Sequence, residues 1–317
     1  MKQKILVTLP VTAAHKAALE ESLRGGEDAY ELAYIAGQEP APQELEEASV
    51  ILGGFDTDLA KYAVKTRWFQ LSWAGADAFA APGVIPKEAI LTSAVGAYGL
   101  AVSEHMLAQT FAMIRRFGQY GRNQVRHEWK PMGAITSVEG AVAAVLGLGD
   151  IGGSYARKMK ALGAYVIGLR KSDKEKPDYV DEQYTIDELD RVLPRADIVA
   201  MVLPGGPATH HIMDEARIGK MKPGAYLLNV GRGNAVDLTA LKAALKDGRL
   251  RGAALDVTEP EPLPPEDELW DMENVILTPH AAGQLFLPAT LDRIIAIAAD
   301  NLRRYIRGEP LRNVVEH

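Results

Sequence analysis

Six residues, Gly147-Leu148-Gly149-Asp150-Ile151-Gly152, constrain the fold of this chain more than any others. The apolar run Ala141-Val142-Ala143-Ala144-Val145-Leu146 leads into them and reads as a buried strand. Ser154 to Leu162 reads as the helix that follows, and Tyr165 to Leu169 as the next strand. Strand, glycine turn, helix and strand in that order open a parallel, doubly wound sheet. Gly147 permits the tight turn, Gly149 leaves room for a pyrophosphate, and Gly152 lets the helix approach the strand closely. Backbone N–H groups at the helix start, around Asp150 and Ile151, then receive phosphates. The pattern therefore predicts a dinucleotide-binding domain.

Further alternation supports that domain. Ile198 to Leu203, Ala225 to Val230, Gly252 to Val257 and Val275 to Leu277 read as strands separated by helical stretches. Upstream, Ile5 to Leu9, the Ala-rich stretch Ala13 to Leu23 and Val50 to Leu52 give a second strand–helix alternation, and Phe69 to Ser72 reads as another strand. The turn after it, Trp73-Ala74-Gly75-Ala76, fits either a ligand-facing loop or a plain structural turn. At 317 residues with 47% hydrophobic composition, the chain can bury more than one core. The expected fold is α/β, with two doubly wound, Rossmann-like domains and parallel sheets. The tail carries a helix from Leu291 to Tyr305, expected to return to the first of these domains. A long helix from Gly99 to Phe117 is expected to link them, and the following Arg122 to Trp129 reads either as a dimer arm or as a pocket wall.

Composition excludes several chemistries. With no cysteine, disulfides, thiolate nucleophiles and cysteine-held metals are ruled out. The balance of 35 basic and 42 acidic side chains, without a long basic run, argues against nucleic acid as a partner. No apolar stretch reaches the ~18 residues of a membrane span, and Ile5 to Leu9 is too short for a secretory core. The expected location is the cytoplasm, with no membrane partner.

The second strand of a dinucleotide fold commonly ends in an acid that bonds the adenosine ribose, but here the residues are Leu169-Arg170-Lys171-Ser172. A missing carboxylate removes repulsion against a 2′-phosphate, and Arg170 and Lys171 offer charge-assisted contacts to it. NADP(H) is therefore the preferred cofactor, with NAD(H) the alternative if both cations are ordinary surface charges. Three later segments hold the polar groups that reduction of a 2-keto acid needs: Asn229-Val230-Gly231-Arg232-Gly233, Asp256 to Pro264, and Thr278-Pro279-His280. Arg232 suits a substrate carboxylate because its planar donors form two parallel hydrogen bonds while staying charged. His280 suits proton donation to the developing alkoxide, and Glu261 would orient its imidazole. Nicotinamide and imidazole cover both transfers, so no metal is expected.

With these segments in place the chain closely resembles the D-isomer-specific 2-hydroxyacid dehydrogenases from roughly Phe69 through Val315. The resemblance implies a catalytic triad of Arg232, Glu261 and His280, with Asp256 near the nicotinamide ring. It places Leu203, Pro204, Val230, Gly231 and Gly283 on the cofactor side, Glu104 in the interdomain helix, and Ala74, Gly75 and Ala76, with Arg232 and His280, at the substrate. It also implies that residues 1–96, completed by the returning segment 285–317, form the substrate-facing domain and 97–284 the dinucleotide-binding domain, and it implies a homodimer, with contacts from the helix beginning near Ala101 and from Arg122 to Trp129. The compact N-terminal portion, without an additional regulatory domain, resembles glyoxylate/hydroxypyruvate reductases more than long phosphoglycerate dehydrogenases. Reductases of larger aliphatic or aromatic 2-keto acids remain an alternative, because Trp73, Tyr98 and Trp129 either line the pocket or pack around it. A catalytically weak dinucleotide-sensing interaction protein is the non-enzymatic one.

Overall fold

The computed structural model describes residues 2–35, 37–172 and 174–317. It divides into two compact units, Met1–Tyr98 with Leu285–His317, and Gly99–Gln284. The first division falls between Tyr98 and Gly99, where a helix begins, rather than after residue 96.

In the first unit, strands β1 (Gln3–Val7), β2 (Tyr30–Tyr34), β3 (Ala48–Leu52), β4 (Trp68–Gln70) and β5 (Ile90–Thr92) pair in parallel in the order β5-β4-β3-β1-β2. The short strand Val314–Val315 adds antiparallel to β5, so this sheet is parallel except at one edge. Leu6, Ile51, Phe69 and Leu91 fill the core together with Phe79. The C-terminal helix is longer than expected, Pro288–Arg307, and stops at Gly308, whose φ of 68° is left-handed. Asn301, fully buried on that helix, donates to the Gln70 side chain at 2.8 Å and accepts from the Arg312 N–H at 2.8 Å, which ties the tail to β4. Two elements escaped the sequence pattern: β5 has only three residues, and β2, Tyr-Glu-Leu-Ala-Tyr, is as long as β1 but partly exposed and lacks an apolar run.

The second unit carries a wholly parallel sheet of β6 (Val142–Leu146), β7 (Tyr165–Arg170), β8 (Glu182–Thr185), β9 (Ile198–Met201), β10 (Tyr226–Asn229), β11 (Gly252–Leu255) and β12 (Val275–Leu277). Its order is β12-β11-β10-β9-β6-β7-β8. The chain winds outward from β6 to β8, then restarts at β9 and winds the other way, so β6 and β9 flank the switch point where open α/β sheets bind ligands. Leu146, Ile167, Val199, Leu227 and Ala253 are fully buried, as expected of strands covered on both faces. The polar edge strand β8 was not foreseen, because Glu-Gln-Tyr-Thr has no apolar run. Two helices differ from expectation. The one after β6 starts at Asp150 rather than Ser154, and the long helix ends at Ile114. There Arg116 turns left-handed at φ 61° and starts a separate helix, Phe117–Val125. Among the described residues, no helix is long and apolar enough to cross a membrane.

Candidate active site

Because every strand of the second sheet runs the same way, the segments that follow them emerge along one carboxyl edge. At β6 the chain turns through Gly147, with φ 98°. A Cβ on Gly152 would stand 1.8 Å from the Gly147 carbonyl oxygen, so only glycine lets the helix Asp150–Ala161 start so close to the strand. A Cβ on Gly149 would meet nothing within 4 Å, which leaves open space before the helix start. Leu148 is buried and packs onto Gly168 of β7, where a Cβ would lie 2.3 Å from a Leu148 methyl. The Asp150 carboxylate accepts from the Gly99 N–H at 2.7 Å and so anchors the long helix, leaving main-chain N–H groups to face a phosphate. This loop thus has the room and the donors that a pyrophosphate requires.

Arg170 closes β7, half-buried, and donates from Nη2 to the Leu148 carbonyl at 3.0 Å. It is therefore a fixture of the glycine loop rather than a loose surface charge, while Lys171 beside it is exposed. After β9, Leu203 is buried and Pro204 exposed. A Cβ on Gly231 would fall 2.6 Å from the Leu203 oxygen, so the segments after β9 and β10 touch through backbone. Val230 is buried between them in sequence.

The buried Asn229 at the end of β10 shapes the Arg232 loop from both sides. Its Nδ2 donates to the Arg232 carbonyl at 2.8 Å, and its Oδ1 accepts from the Gly231 N–H at 3.0 Å. Arg232 is half-buried and donates from Nη1 to the Gly231 carbonyl at 2.8 Å. Gly233 leaves room for the next segment, since a Cβ there would lie 1.9 Å from the Thr258 oxygen.

Beyond β11, Asp256 is buried and acts as the scaffold of the His280 loop. Its Oδ1 accepts from the Thr278 hydroxyl at 2.6 Å and from the Ala281 N–H at 2.9 Å, and its Oδ2 accepts from the Ala282 N–H at 3.1 Å. The Asp256 carbonyl takes the His280 N–H at 2.8 Å. Thr278 in turn accepts from Gln109 Nε2 at 3.2 Å and lies 3.1 Å from His105 Nε2, both on the long helix. His280 adopts φ 49°, in the left-handed region, so this network holds it in an uncommon conformation. Its Nδ1 meets Glu261 Oε1 at 2.6 Å, and both side chains are roughly half-exposed. With Nδ1 held by a carboxylate, Nε2 is the nitrogen left to face a substrate. Gly283 follows in the turn after Ala282.

Arg232, Glu261, His280, Asp256 and the glycine loop thus emerge along one edge. Asn229 and Thr278 were read only as members of their segments, with no supporting role assigned, and His105 and Gln109 were not read at all; the available signal for these two was their i, i+4 spacing on one helix. Ala74, Gly75 and Ala76 belong to the first unit, where the Trp73 carbonyl accepts from the Ala94 N–H at 2.8 Å and Ala76 is buried. Of the three aromatics left open by the sequence, Tyr98 is interior. Its hydroxyl donates to the Ser72 carbonyl at 2.6 Å, and burial pushes it up to about 12. Trp73 covers Gly54 and leans on Phe79. Trp129 is fully exposed and lines a surface cavity together with Tyr120, Gln124 and Pro131.

Residues 107–282 match the family model for the NAD binding domain of D-isomer specific 2-hydroxyacid dehydrogenases. The chain belongs to this family. Among relatives of the family, it is 31% identical to the glyoxylate reductase of Korarchaeum cryptofilum over 278 residues, 84% of this chain and 81% of that one. A D-isomer specific 2-hydroxyacid dehydrogenase family protein of Aeromonas salmonicida superposes with a TM-score of 0.84 at 30% identity, covering 99% of both chains. The NADPH-dependent glyoxylate/hydroxypyruvate reductase of Sinorhizobium meliloti, solved with NADP and sulfate, gives a TM-score of 0.81 at 28% identity, covering 99% of this chain and 98% of that one. The fold and the NAD(P)-dependent oxidoreductase class of this chain are those of the 2-hydroxyacid dehydrogenases.

Proposed function

We propose that this chain reduces short 2-keto acids to 2-hydroxy acids, of D configuration where the product is chiral, with glyoxylate and hydroxypyruvate first among the substrates and NADPH preferred over NADH. The observation that carries the reading is the 2.6 Å pair of His280 and Glu261, emerging on the same strand edge as Arg232 and the glycine loop. When bound, the reduced nicotinamide supplies a hydride to the carbonyl carbon. His280 Nε2 then gives the proton that converts the developing alkoxide to a hydroxyl, and Glu261, bonded to Nδ1, keeps the ring aligned. Arg232 grips the substrate carboxylate and polarises the ketone, with Ala74, Gly75 and Ala76 assigned by family resemblance to the same carboxylate. Asp256 fixes the loop from which His280 acts.

Main-chain donors at Asp150 and Ile151 would take the pyrophosphate, while Leu203, Pro204, Val230, Gly231 and Gly283 would border the rest of the dinucleotide. The preference for NADPH rests on Arg170 at the end of β7, where a ribose-binding acid is missing, with Lys171 adjacent. The NADPH dependence of the Sinorhizobium meliloti reductase supports it by analogy. We further propose a homodimer built on the helices Gly99–Ile114 and Phe117–Val125 and the segment to Trp129, where Phe117, Val125 and Trp129 are strongly exposed.

A kcat/KM panel over glyoxylate, hydroxypyruvate, a branched and an aromatic 2-keto acid, each with NADPH and NADH, tests the reading. The two small acids should lead. Dominance of the aromatic or branched acid would overturn the substrate assignment, and no keto-acid-dependent oxidation of either cofactor would overturn the enzyme.

A further inference from the structure

Two loops on the carboxyl edge of the second sheet hold a side-chain cluster for which the reduction has no use. The segment after β9 carries His210 and His211, and the segment after β11 carries Glu259. The two imidazoles stack, with centroids 4.1 Å apart and planes 21° from parallel. His211 Nε2 lies 3.6 Å from Glu259 Oε2. One ligand atom from each of the three residues falls within 4.8 Å of the other two.

The backbone beneath them is fixed. His211 donates its N–H to the Asn234 carbonyl at 2.7 Å, and His210 donates to Gly206 at 3.1 Å. Met213 pairs with Val236 as a parallel bridge. On the other side, Thr258, next to Glu259, is in backbone contact with Gly233. The cluster therefore straddles the Arg232 loop from two anchored segments, and its side chains are free to turn because His211 and Glu259 are 42% and 47% exposed.

We propose that His210, His211 and Glu259 bind one transition-metal dication. Ligand atoms about 2.0–2.2 Å from a shared zinc stand at most about 4.4 Å apart, so small side-chain rotations close the present arrangement. Two imidazoles and one carboxylate suit zinc, nickel or copper better than magnesium or calcium, which take all-oxygen shells. Three protein ligands leave a fourth position for water or an anion. A bound ion would staple the segment after β9 to the one that carries Glu261, two residues beyond Glu259, with the Arg232 loop between. It would bind the folded chain and not the unfolded one, and so raise thermal stability.

The test uses the untagged full chain, stripped with chelator and titrated calorimetrically with zinc alone. One ion per chain should bind. His210→Ala and Glu259→Gln should each weaken binding at least about tenfold, which is about 1.4 kcal/mol, while His280→Ala should bind as the wild type does. Zinc should raise the melting temperature of the wild type but not of the His210→Ala/Glu259→Gln double variant, whose metal-free melt should match the wild type and so establish its folding. Three outcomes overturn the proposal: no binding at submillimolar zinc, unchanged binding in the double variant, or loss confined to His280→Ala, which would move the ion to the His280–Glu261 pair.

Discussion

At the β6–β7 end of the carboxyl edge, the second unit meets ligand space with main chain: two glycines close the turn, a third leaves room, and the Asp150 side chain is turned to the Gly99 N–H. At the β10–β12 end it does so with side chains, and each stands on a buried polar support. Asn229 brackets Arg232, and Asp256 with Thr278 holds the loop of His280. On the proposed function, the contrast follows from what each end would recognise. A pyrophosphate is satisfied by any well-placed N–H groups, whereas polarising a ketone and delivering a proton need particular charges and a titratable nitrogen. The backbone end should therefore fail abruptly under small steric changes, and the side-chain end should fail in chemistry while the fold survives.

Gly152→Val should have the largest effect. Its Cβ would start 1.8 Å from the Gly147 oxygen, so NADPH binding should disappear and the chain should lose at least about 2 kcal/mol of stability. Fluorescence titration with NADPH and a urea melt read both, and retained binding would show that the turn does not cradle the cofactor. Arg170→Ala probes the one side chain that matters at the backbone end. If its guanidinium meets the 2′-phosphate, binding of NADPH should fall by about 1.5–3 kcal/mol more than that of NADH. Equal losses for the two cofactors would mean that Arg170 acts only through its bond to the Leu148 carbonyl.

The smallest effect is expected at the outer edge, on β8. Hydrogen bonds from Arg195, then from Tyr184 and Tyr165, hold the Glu182 carboxyl well below the usual carboxylate range. A depressed folded-state value stabilises the fold above the unfolded value, near 4.3, and that contribution is lost as pH falls toward the folded one. Glu182→Gln should thus cost about 1 kcal/mol or less at neutral pH, with the gap to wild type narrowing below about pH 4 in parallel chemical melts. A gap that stays constant across the acid range would remove the charge from this account.

The same contrast explains what could be read from the sequence. The backbone end was legible because it is local: strand, turn, helix and strand follow one another between Val142 and Arg170, and each carries its own pattern. Arg232, Glu261 and His280 stood out only jointly, since each alone is an ordinary arginine, glutamate or histidine. Their supports were hidden. His105 and Gln109 reach Thr278 across about 170 positions of chain, a pairing that no periodicity encodes. Asp256 was expected beside the nicotinamide, yet the bonds that its carboxylate makes to Thr278, Ala281 and Ala282 are invisible until the strands are aligned. The break at Arg115-Arg116 escaped because both residues favour helix, and only the left-handed turn at Arg116 divides the segment.

On the proposed function, His280 supplies the proton in 2-keto acid reduction while taking no part in holding the cofactor. Turnover of glyoxylate and hydroxypyruvate by His280→Ala at saturating NADPH, measured beside the NADPH dissociation constant of the same variant, tests it most directly. A fall in kcat of about 10²-fold or more is expected, with the dissociation constant unchanged. Near-wild-type kcat, or a loss of activity traced wholly to weaker NADPH binding, would contradict it.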